Sequence, residues 1–352
     1  MAVPYLDGMI LHLLNIIDGQ RTIYSPLHIL NGKKSSQPIQ DSKLYGLTNI
    51  FGVLPRLKRN EWDYRITLLQ KDGKITEIKE HVYKCTDHGL DCLMDWKKEY
   101  PHLPNINGWK YKDQTIPFWR RLNLLIQTTS CLIRRNNRFI PVQRNANDQQ
   151  FIKNFIRQWS NSLDELADQL FEELMQACNQ NSELGSELFV MSLSGNHRTG
   201  WTIEQSARKL KIDVYYAQCL FVDTLHFFIQ LAEQPLFPIL NQLATIDIHQ
   251  GMLTASTQKT LTMIRKGRGK EEIAQIRKLK INTVEDHIVE IASFIPDFSI
   301  HPFVTDETKK EIEEAIERVG AKQLRTIKAN VSSEISYFQI RLVLACTRGR
   351  DI

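Results

Sequence analysis

The sequence predicts a mainly α, multi-domain protein with an N-terminal winged-helix-like domain, a helical middle region and a C-terminal helix-turn-helix module. Two observations carry this prediction. Apolar residues recur at helical spacing along most of the 352-residue chain, and strand-like alternation appears only around residues 75–83. The length also exceeds that of one small domain. We place the domains at residues 1–108, 109–250 and 251–352, with a possible second helix-turn-helix at residues 200–230.

Composition and charge are those of an ordinary globular protein. Hydrophobic residues make up 42% of the chain and charged residues 24%, which argues against a disordered or fibrous protein. The net charge of +5 is too small to identify a nucleic-acid binder without local clustering. The apolar run at residues 9–17 is too short to cross a bilayer, and no secretory signal is visible, so we expect a buried helix and a cytoplasmic protein.

The N-terminal region has the element order of a winged helix. Candidate helices lie at residues 26–30, from residue 33 toward residue 51, and at residues 57–70, and two short strands follow. Thr86 and Gly89 then have the Thr-x-x-Gly spacing that begins another helix. The alternative is an unrelated helical domain with a hairpin.

The charge of the middle region is sharply divided. Residues 109–159 contain ten basic residues and two acids, whereas residues 158–197 contain seven acids and no Lys or Arg. Within the acidic stretch, Ser162 and Glu165 have capping-box spacing, and Leu166 and Leu170 lie on one apolar face, so we predict a helix with a solvated acidic face. The basic and acidic stretches are also able to pair with each other.

The C-terminal region carries the strongest local pattern, a helix-turn-helix. Its inner residues are Ile273, Ala274 and Ile276 in the first helix, Leu279 in the turn, and Val284, Ile288 and Ile291 in the second helix. Asn282 is the predicted N-cap of the second helix. An earlier segment repeats the five-residue intervals more weakly, at Ala207, Ile212 and Ala217. Two packed helices joined by a short turn would explain that earlier segment equally well.

The C-terminal region resembles the helicase helix-turn-helix family, a module found at the C-terminal ends of RecQ-type helicases. The residues that carry this resemblance are Glu272, Ile273, Ala274, the run at 283–287, Tyr337, Phe338, Ile340, Arg341, Leu344 and Ala345. The layout of the whole chain, including residues 32–37, is similar to the YpbB-like proteins. These resemblances imply a DNA-binding or helicase accessory role, with a RecQ-type helicase as partner.

The sequence offers little for catalysis. A phosphate-binding loop needs Gly at its first position and Ser or Thr after its Lys, but Leu27 and Lys34 occupy those positions around Gly32 and Lys33. Nor does any nucleophile, base and acid arrangement stand out. We therefore predict that the protein is not an enzyme and has no cofactor.

Four possible zinc ligands lie within twelve residues: His81, Cys85, His88 and Cys92. Their spacing is not a common structural-zinc pattern. In addition, the predicted wing and turn would separate the donors, because successive strand side chains point to opposite faces. We predict no metal site.

Three basic patches are candidates for DNA binding. They comprise Lys33, Lys34, Ser35 and Ser36; Arg134, Arg135 and Arg138; and the C-terminal group Arg265, Lys266, Arg268, Lys270, Asn282, Thr283 and His287. Against the C-terminal group, Glu285 and Asp286 would repel phosphates at the start of the recognition helix. Each patch also has a structural alternative: a helix cap with solvated lysines, a basic turn that pairs with the acidic helix, and a protein-binding module, respectively.

From the sequence we therefore expect a non-catalytic DNA-binding accessory protein of a RecQ-type helicase, acting in recombination or repair. The alternative is a protein adaptor or regulator of the helicase that makes little direct contact with DNA.

Overall fold

The structure is a computed structural model that describes residues 3–245, 253–295, 297–319 and 324–346. These residues form eighteen helices and one two-stranded sheet, so the prediction of a mainly α, multi-domain protein is confirmed. They divide between two compact units, one from Met1–Met9 and Met94–Ile246, the other from Ile10–Leu93 and Asp247–Ile352. Helices α1 (Tyr5–Ile17) and α5 (Asp87–Glu99) contribute residues to both units.

The remaining elements belong to one unit each. The first unit contains α6 (Gly108–Ile133), α7 (Ala146–Gln158), α8 (Leu163–Gln180), α9 (Glu183–Met191), α10 (Ile203–Leu210), α11 (Val214–Leu231) and α12 (Pro238–Ala244). The second contains α2 (Tyr24–Leu30), α3 (Ser36–Leu44), α4 (Arg59–Lys71), β1 (Ile75–Lys79), β2 (Val82–Cys85), α13 (Ala255–Ile264), α14 (Lys270–Arg277), α15 (Ile281–Phe294), α16 (Asp306–Val319), α17 (Leu324–Lys328) and α18 (Tyr337–Cys346). None of the described helices is both long and apolar enough to cross a membrane.

The N-terminal elements follow the predicted winged-helix order. Strands β1 and β2 pair antiparallel after α4, with Ile75 opposite Cys85. The predicted turn before α5 is confirmed, because the Thr86 hydroxyl accepts a hydrogen bond from the Gly89 N–H at 3.1 Å. The second predicted helix is shorter than expected. It ends at Leu44 rather than near Phe51, because Gly46 adopts a left-handed conformation with φ of 67°.

The predicted first and third domains contribute residues to the same unit, in which α3 packs against α15 and α18. The Lys43 ammonium on α3 donates to the Ala345 carbonyl on α18. The two domain boundaries, after residues 108 and 250, stay a prediction that limited proteolysis would test.

The C-terminal helix-turn-helix has the predicted core. Ile273, Val284 and Ile288 are fully buried, and Leu279 packs against them from the turn. Two details were predicted wrongly. The N-cap of α15 is Lys280 rather than Asn282, and no side chain caps that end. Ile276 is 46% exposed, because it points away from the core that Ile273 enters.

The earlier segment in the first unit repeats this local geometry at an offset of 67 residues. Helices α10 and α14 each span eight residues and end at a left-handed lysine, Lys211 (φ 57°) and Lys278 (φ 52°). In both, the N–H of the next residue bonds back to the alanine that lets the helices approach, from Ile212 to Ala207 and from Leu279 to Ala274. Helix α11 is buried among α6, α9, α10 and α12, which indicates a structural role for this second copy.

The acidic helix α8 is confirmed, including the hydrogen bond from the Glu165 N–H to the Ser162 hydroxyl. One of its acids is not solvated. Glu173 is buried and accepts from the N–H groups of Ile239 and Leu240, both at 3.0 Å, so it caps α12. Burial raises the pKa of this carboxyl, and the two N–H groups lower it.

Candidate nucleic-acid interface

The side chain of Arg277 links three helices at the C-terminal helix-turn-helix: α13, α14 and α15. Arg277, at the end of α14, donates to the Thr260 and Ser256 hydroxyls of α13, the latter at 2.8 Å. Thr260 in turn lies 2.9 Å from Nδ1 of His287 on α15. Burial and the charge of Arg277 lower the pKa of His287, which favours the neutral form of the ring.

The two acids at the start of α15 are paired inside the fold. The Lys270 ammonium nitrogen lies 2.6 Å from Oε1 of Glu285, and Arg341 on α18 forms an ion pair with Asp286. The Lys270 ammonium also lies 4.7 Å from the centre of the Phe338 ring. Because both carboxylates already face a cation, their repulsion of DNA phosphates is reduced.

Only the first turn of α15 is available to a ligand. From His287 to Phe294 every residue is buried, because α3, α13, α14 and α18 pack around the helix. His287 faces the interior, so we leave it out of the proposed interface. Asn282 is exposed and Thr283 half-buried, and these two stay candidates for DNA contact. A helix covered in this way cannot lie along the major groove.

The loop before α14 carries the accessible cations of the motif. Arg265 and Lys266 are exposed, and neither side chain has a hydrogen bond or ion pair with any residue that the structure describes. Arg268, in contrast, pairs with Glu272. The loop borders an open pocket of about 520 Å³, whose other walls include Phe303 and Phe338. Gly269 caps α14 without a side chain, and the first turn of the helix carries two exposed acids, Glu271 and Glu272.

The Lys270–Glu285 pair predicts a measurable coupling. The side chains are 27% and 17% exposed, so Glu285→Gln and Lys270→Gln should each destabilise the motif by about 1 kcal/mol, and the double variant should cost less than the sum. Urea unfolding of the four proteins in the cycle measures this. Strictly additive losses would show that the ion pair contributes nothing. The pairing also makes Lys270 a poor choice for testing DNA contact by charge reversal.

The N-terminal patch lies at the start of α3. Ser35 is the N-cap, but its hydroxyl makes no capping hydrogen bond, and Lys33 is exposed. The positive charge of Lys34 acts on Glu290 of α15, in the C-terminal helix-turn-helix. Burial raises the pKa of Glu290 on α15, whereas the Thr254 N–H, the Thr257 hydroxyl and the charge of Lys34 lower it. Lys33, Ser35 and Ser36 therefore stay candidates for phosphate contact, and Lys34 has an electrostatic role within the fold.

The arginine patch follows α6 in the first unit. Arg134, Arg135 and Arg138 are all exposed. Within the described residues none of them pairs with a carboxylate of α8 or of any other element, so the alternative of a basic turn neutralised by the acidic helix gains no support.

The outer face of α4 is a further polar surface that the sequence interpretation did not single out. Its inner face buries Trp62, Ile66 and Leu69. The exposed residues along the helix and just before it are Lys58, Arg59, Asn60, Tyr64, Thr67, Gln70 and Lys71. The spacing of the three apolar residues already predicts which positions face outward, and this signal was available in the sequence.

The four possible zinc ligands are distributed along the hairpin and α5. His81 lies in the hairpin turn with φ of 57°, and the Cys85 thiol donates to the Leu11 carbonyl. Among the described residues, no three His, Cys, Asp or Glu side chains lie where one metal ion could bind them.

Comparison with known proteins agrees with this architecture. A family model described as a helix-turn-helix domain matches residues 256–344, which span α13 to α18. Over 346 residues the chain is 32% identical to Protein YpbB of Bacillus subtilis (strain 168), covering 98% of each protein. The chain therefore belongs to the YpbB family. No solved structure matches it.

Proposed function

We propose that this protein is a non-catalytic DNA-binding accessory protein of a RecQ-type helicase, acting in the cytoplasm in recombination or repair. The observation that carries the DNA-binding part is the exposed pair Arg265 and Lys266, which precede α14 and have no carboxylate partner among the described residues. Such cations beside a helix N-terminus suit contact with the DNA backbone rather than with bases.

Two further observations support contact with the backbone. Lys270 and Arg341 pair with Glu285 and Asp286 of α15 within the fold, which reduces the repulsion between these acids and DNA phosphates. The burial of α15 after its first turn leaves little helix surface to read bases. The expected binding is therefore weakly dependent on sequence and strongly dependent on salt. The helicase partner rests on the resemblance to the C-terminal modules of RecQ-type helicases.

A protein adaptor is the second candidate, and one observation favours it. Ile276 and Ile281 flank the motif turn and are 46% and 36% exposed. Apolar side chains at this position suit a protein partner better than a phosphate backbone.

The experiment that separates these candidates is a pull-down of the tagged protein from cells, with and without nuclease. An accessory protein that binds DNA should lose part of its associated helicase after nuclease treatment. Recovery of the same amount of helicase in both samples supports the adaptor, and absence of any helicase in both contradicts the partnership.

We further predict that the purified protein hydrolyses no ATP, with or without nucleic acid. Lys33 lies before the N-cap of α3, and Lys34 stands where a phosphate-binding loop needs a hydroxyl. A coupled ATPase assay checks this prediction. Turnover that DNA stimulates and Lys33→Ala abolishes would contradict it.

A further inference from the structure

Helix α6 carries a polar stripe that holds two loops of the first unit. The stripe consists of Asn123, Gln127 and Ser130, spaced four and three residues apart, so all three lie on one face. We call residues 134–145, between α6 and α7, the arginine loop, and residues 192–202, between α9 and α10, the histidine loop. Each stripe residue bonds to the backbone of one of these loops.

The first stripe residue anchors the histidine loop. Asn123 is buried, accepts from the Ser194 N–H at 2.9 Å and donates to the Ser192 carbonyl at 3.3 Å. The loop then turns closely on itself at Gly200. A Cβ atom at Gly200 would lie 2.0 Å from the Ser192 carbonyl oxygen, so only glycine fits there.

Of the other two stripe residues, Gln127 anchors the arginine loop and Ser130 holds the histidine loop beside it. Gln127 accepts from the Val142 N–H at 2.7 Å and donates to the Ile140 carbonyl at 3.1 Å. Ser130 accepts from the Asn196 N–H at 3.0 Å, and the Asn136 amide donates to the Asn196 side chain at 2.9 Å. Residues of the two loops are therefore neighbours.

The joined loops form a purely basic surface. They contain Arg134, Arg135, Arg138, Arg144, His197 and Arg198, and neither loop contains an acid. All five arginines are exposed, and within the described part of the chain none of their side chains makes an ion pair or hydrogen bond. The buried amides of Asn123 and Gln127 thus hold in place a surface whose arginines have no partner among the residues that the structure describes.

Exposed apolar groups lie on the same two loops. Ile140 is 84% exposed and Trp201 is 42% exposed. A surface of this kind offers guanidinium groups for phosphates, and an indole, guanidinium planes and an aliphatic side chain for flat rings. In a duplex the faces of the bases are stacked on one another, whereas a single strand presents both phosphates and base faces.

We propose that the arginine and histidine loops together bind single-stranded nucleic acid. This inference rests on the proposed function, because the ligand in both is nucleic acid. It differs in place and in ligand: the two loops lie in the first unit and bind single strands, whereas Arg265 and Lys266 lie in the second unit and contact the backbone of duplex DNA. The anchoring by α6 fixes both loops before the ligand arrives, which reduces the entropy lost on binding.

The test uses the full-length protein and fluorescence anisotropy with labelled oligo-dT, oligo-rU and a mixed-sequence duplex. Arg134→Glu with Arg138→Glu removes charge from the surface, and Lys97→Glu with Lys98→Glu makes the same charge change on exposed positions of α5. We expect the first variant to bind both single strands at least tenfold more weakly, and the second to change less than twofold. The salt slope of the first should flatten by about 0.7 for each phosphate that the protein no longer neutralises.

Two additional variants separate this surface from the helix-turn-helix. Trp201→Ala should weaken binding of the single strands with no change of charge, and Arg265→Glu with Lys266→Glu should weaken binding of the duplex alone.

Unchanged single-strand affinity in the Arg134 and Arg138 variant overturns the inference, whatever its affinity for the duplex. If the wild-type protein binds single strands and not duplex, the inference stands and the proposed duplex contact fails. A polyglutamate peptide that competes as well as oligo-dT would show that the surface recognises negative charge rather than nucleic acid, and would also overturn it.

Discussion

Replacing Arg265 and Lys266 by Glu is expected to weaken duplex DNA binding about 10- to 100-fold at low salt. Each reversal changes the local charge by two units, and a unit charge about 4 Å from a phosphate is worth about 1 kcal/mol even in bulk water. Both side chains are exposed and have no partner among the described residues, so the fold should tolerate the change. Because contacts with phosphate carry no sequence information, the loss should be the same for unrelated duplexes.

The control is Lys309→Glu with Lys310→Glu, which makes the same charge change on a half-buried and an exposed lysine of α16 in the same unit, where the two lysines pair with Glu313 and Glu314. Anisotropy with two unrelated duplexes at about 50 mM salt measures the effect. If both double variants weaken binding equally, the protein responds to its net charge alone, and the local anchor is wrong.

Lowering the pH from 7 to 4 is expected to destabilise the first unit by about 3 kcal/mol through His226 alone. The ring is buried on α11, where Nδ1 accepts from the Asn107 N–H at 3.0 Å and Nε2 lies 2.9 Å from the Thr115 hydroxyl. That hydroxyl donates to the Tyr111 carbonyl, so Nε2 carries the only ring proton. A second proton, on Nδ1, would point at the Asn107 N–H and break the hydrogen bond between them.

Burial lowers the pKa of His226 from its ordinary value of 6.5 to about 4. Above pH 6.5 the ring is neutral in both the folded and unfolded states. Between pH 6.5 and 4, His226 binds a proton in the unfolded chain but stays neutral in the folded protein. The free energy of unfolding therefore falls by about 1.4 kcal/mol per pH unit.

The measurement compares the pH dependence of urea unfolding in the wild type and in His226→Gln. Burial raises the pKa values of Glu173 and Asp223, which acts in the opposite direction, but both carboxyls are present in each protein and their effects cancel in the difference. The variant should be less stable at pH 7 and lose less stability on acidification. Parallel pH curves would show that His226 titrates normally in the fold.

The local elements of this protein follow from short-range sequence patterns. The Ser162 cap and the Thr86 turn each depend on residues three positions apart, and the structure contains both. The helix-turn-helix core likewise depends on apolar residues at fixed intervals, which is why Ile273, Val284 and Ile288 were predicted correctly.

What the sequence did not predict depends on contacts between distant residues. Asp286 and Arg341 are 55 residues apart, and Glu173 caps a helix that begins 65 residues later. No local pattern gives such partners, so the acids of α15 looked unpaired and Glu173 looked solvated. The burial of α15 by α3 has the same origin, since the two helices are far apart in the chain and meet only in the folded unit.

The most direct test of the proposed function is the salt dependence of duplex binding by the wild-type protein. The account predicts that log K falls linearly with log salt, with a slope of about −2 or steeper, because at least two phosphates are neutralised and each contributes about −0.9. A slope near zero, or no duplex binding at about 50 mM salt, would contradict the claim that this protein contacts the DNA backbone.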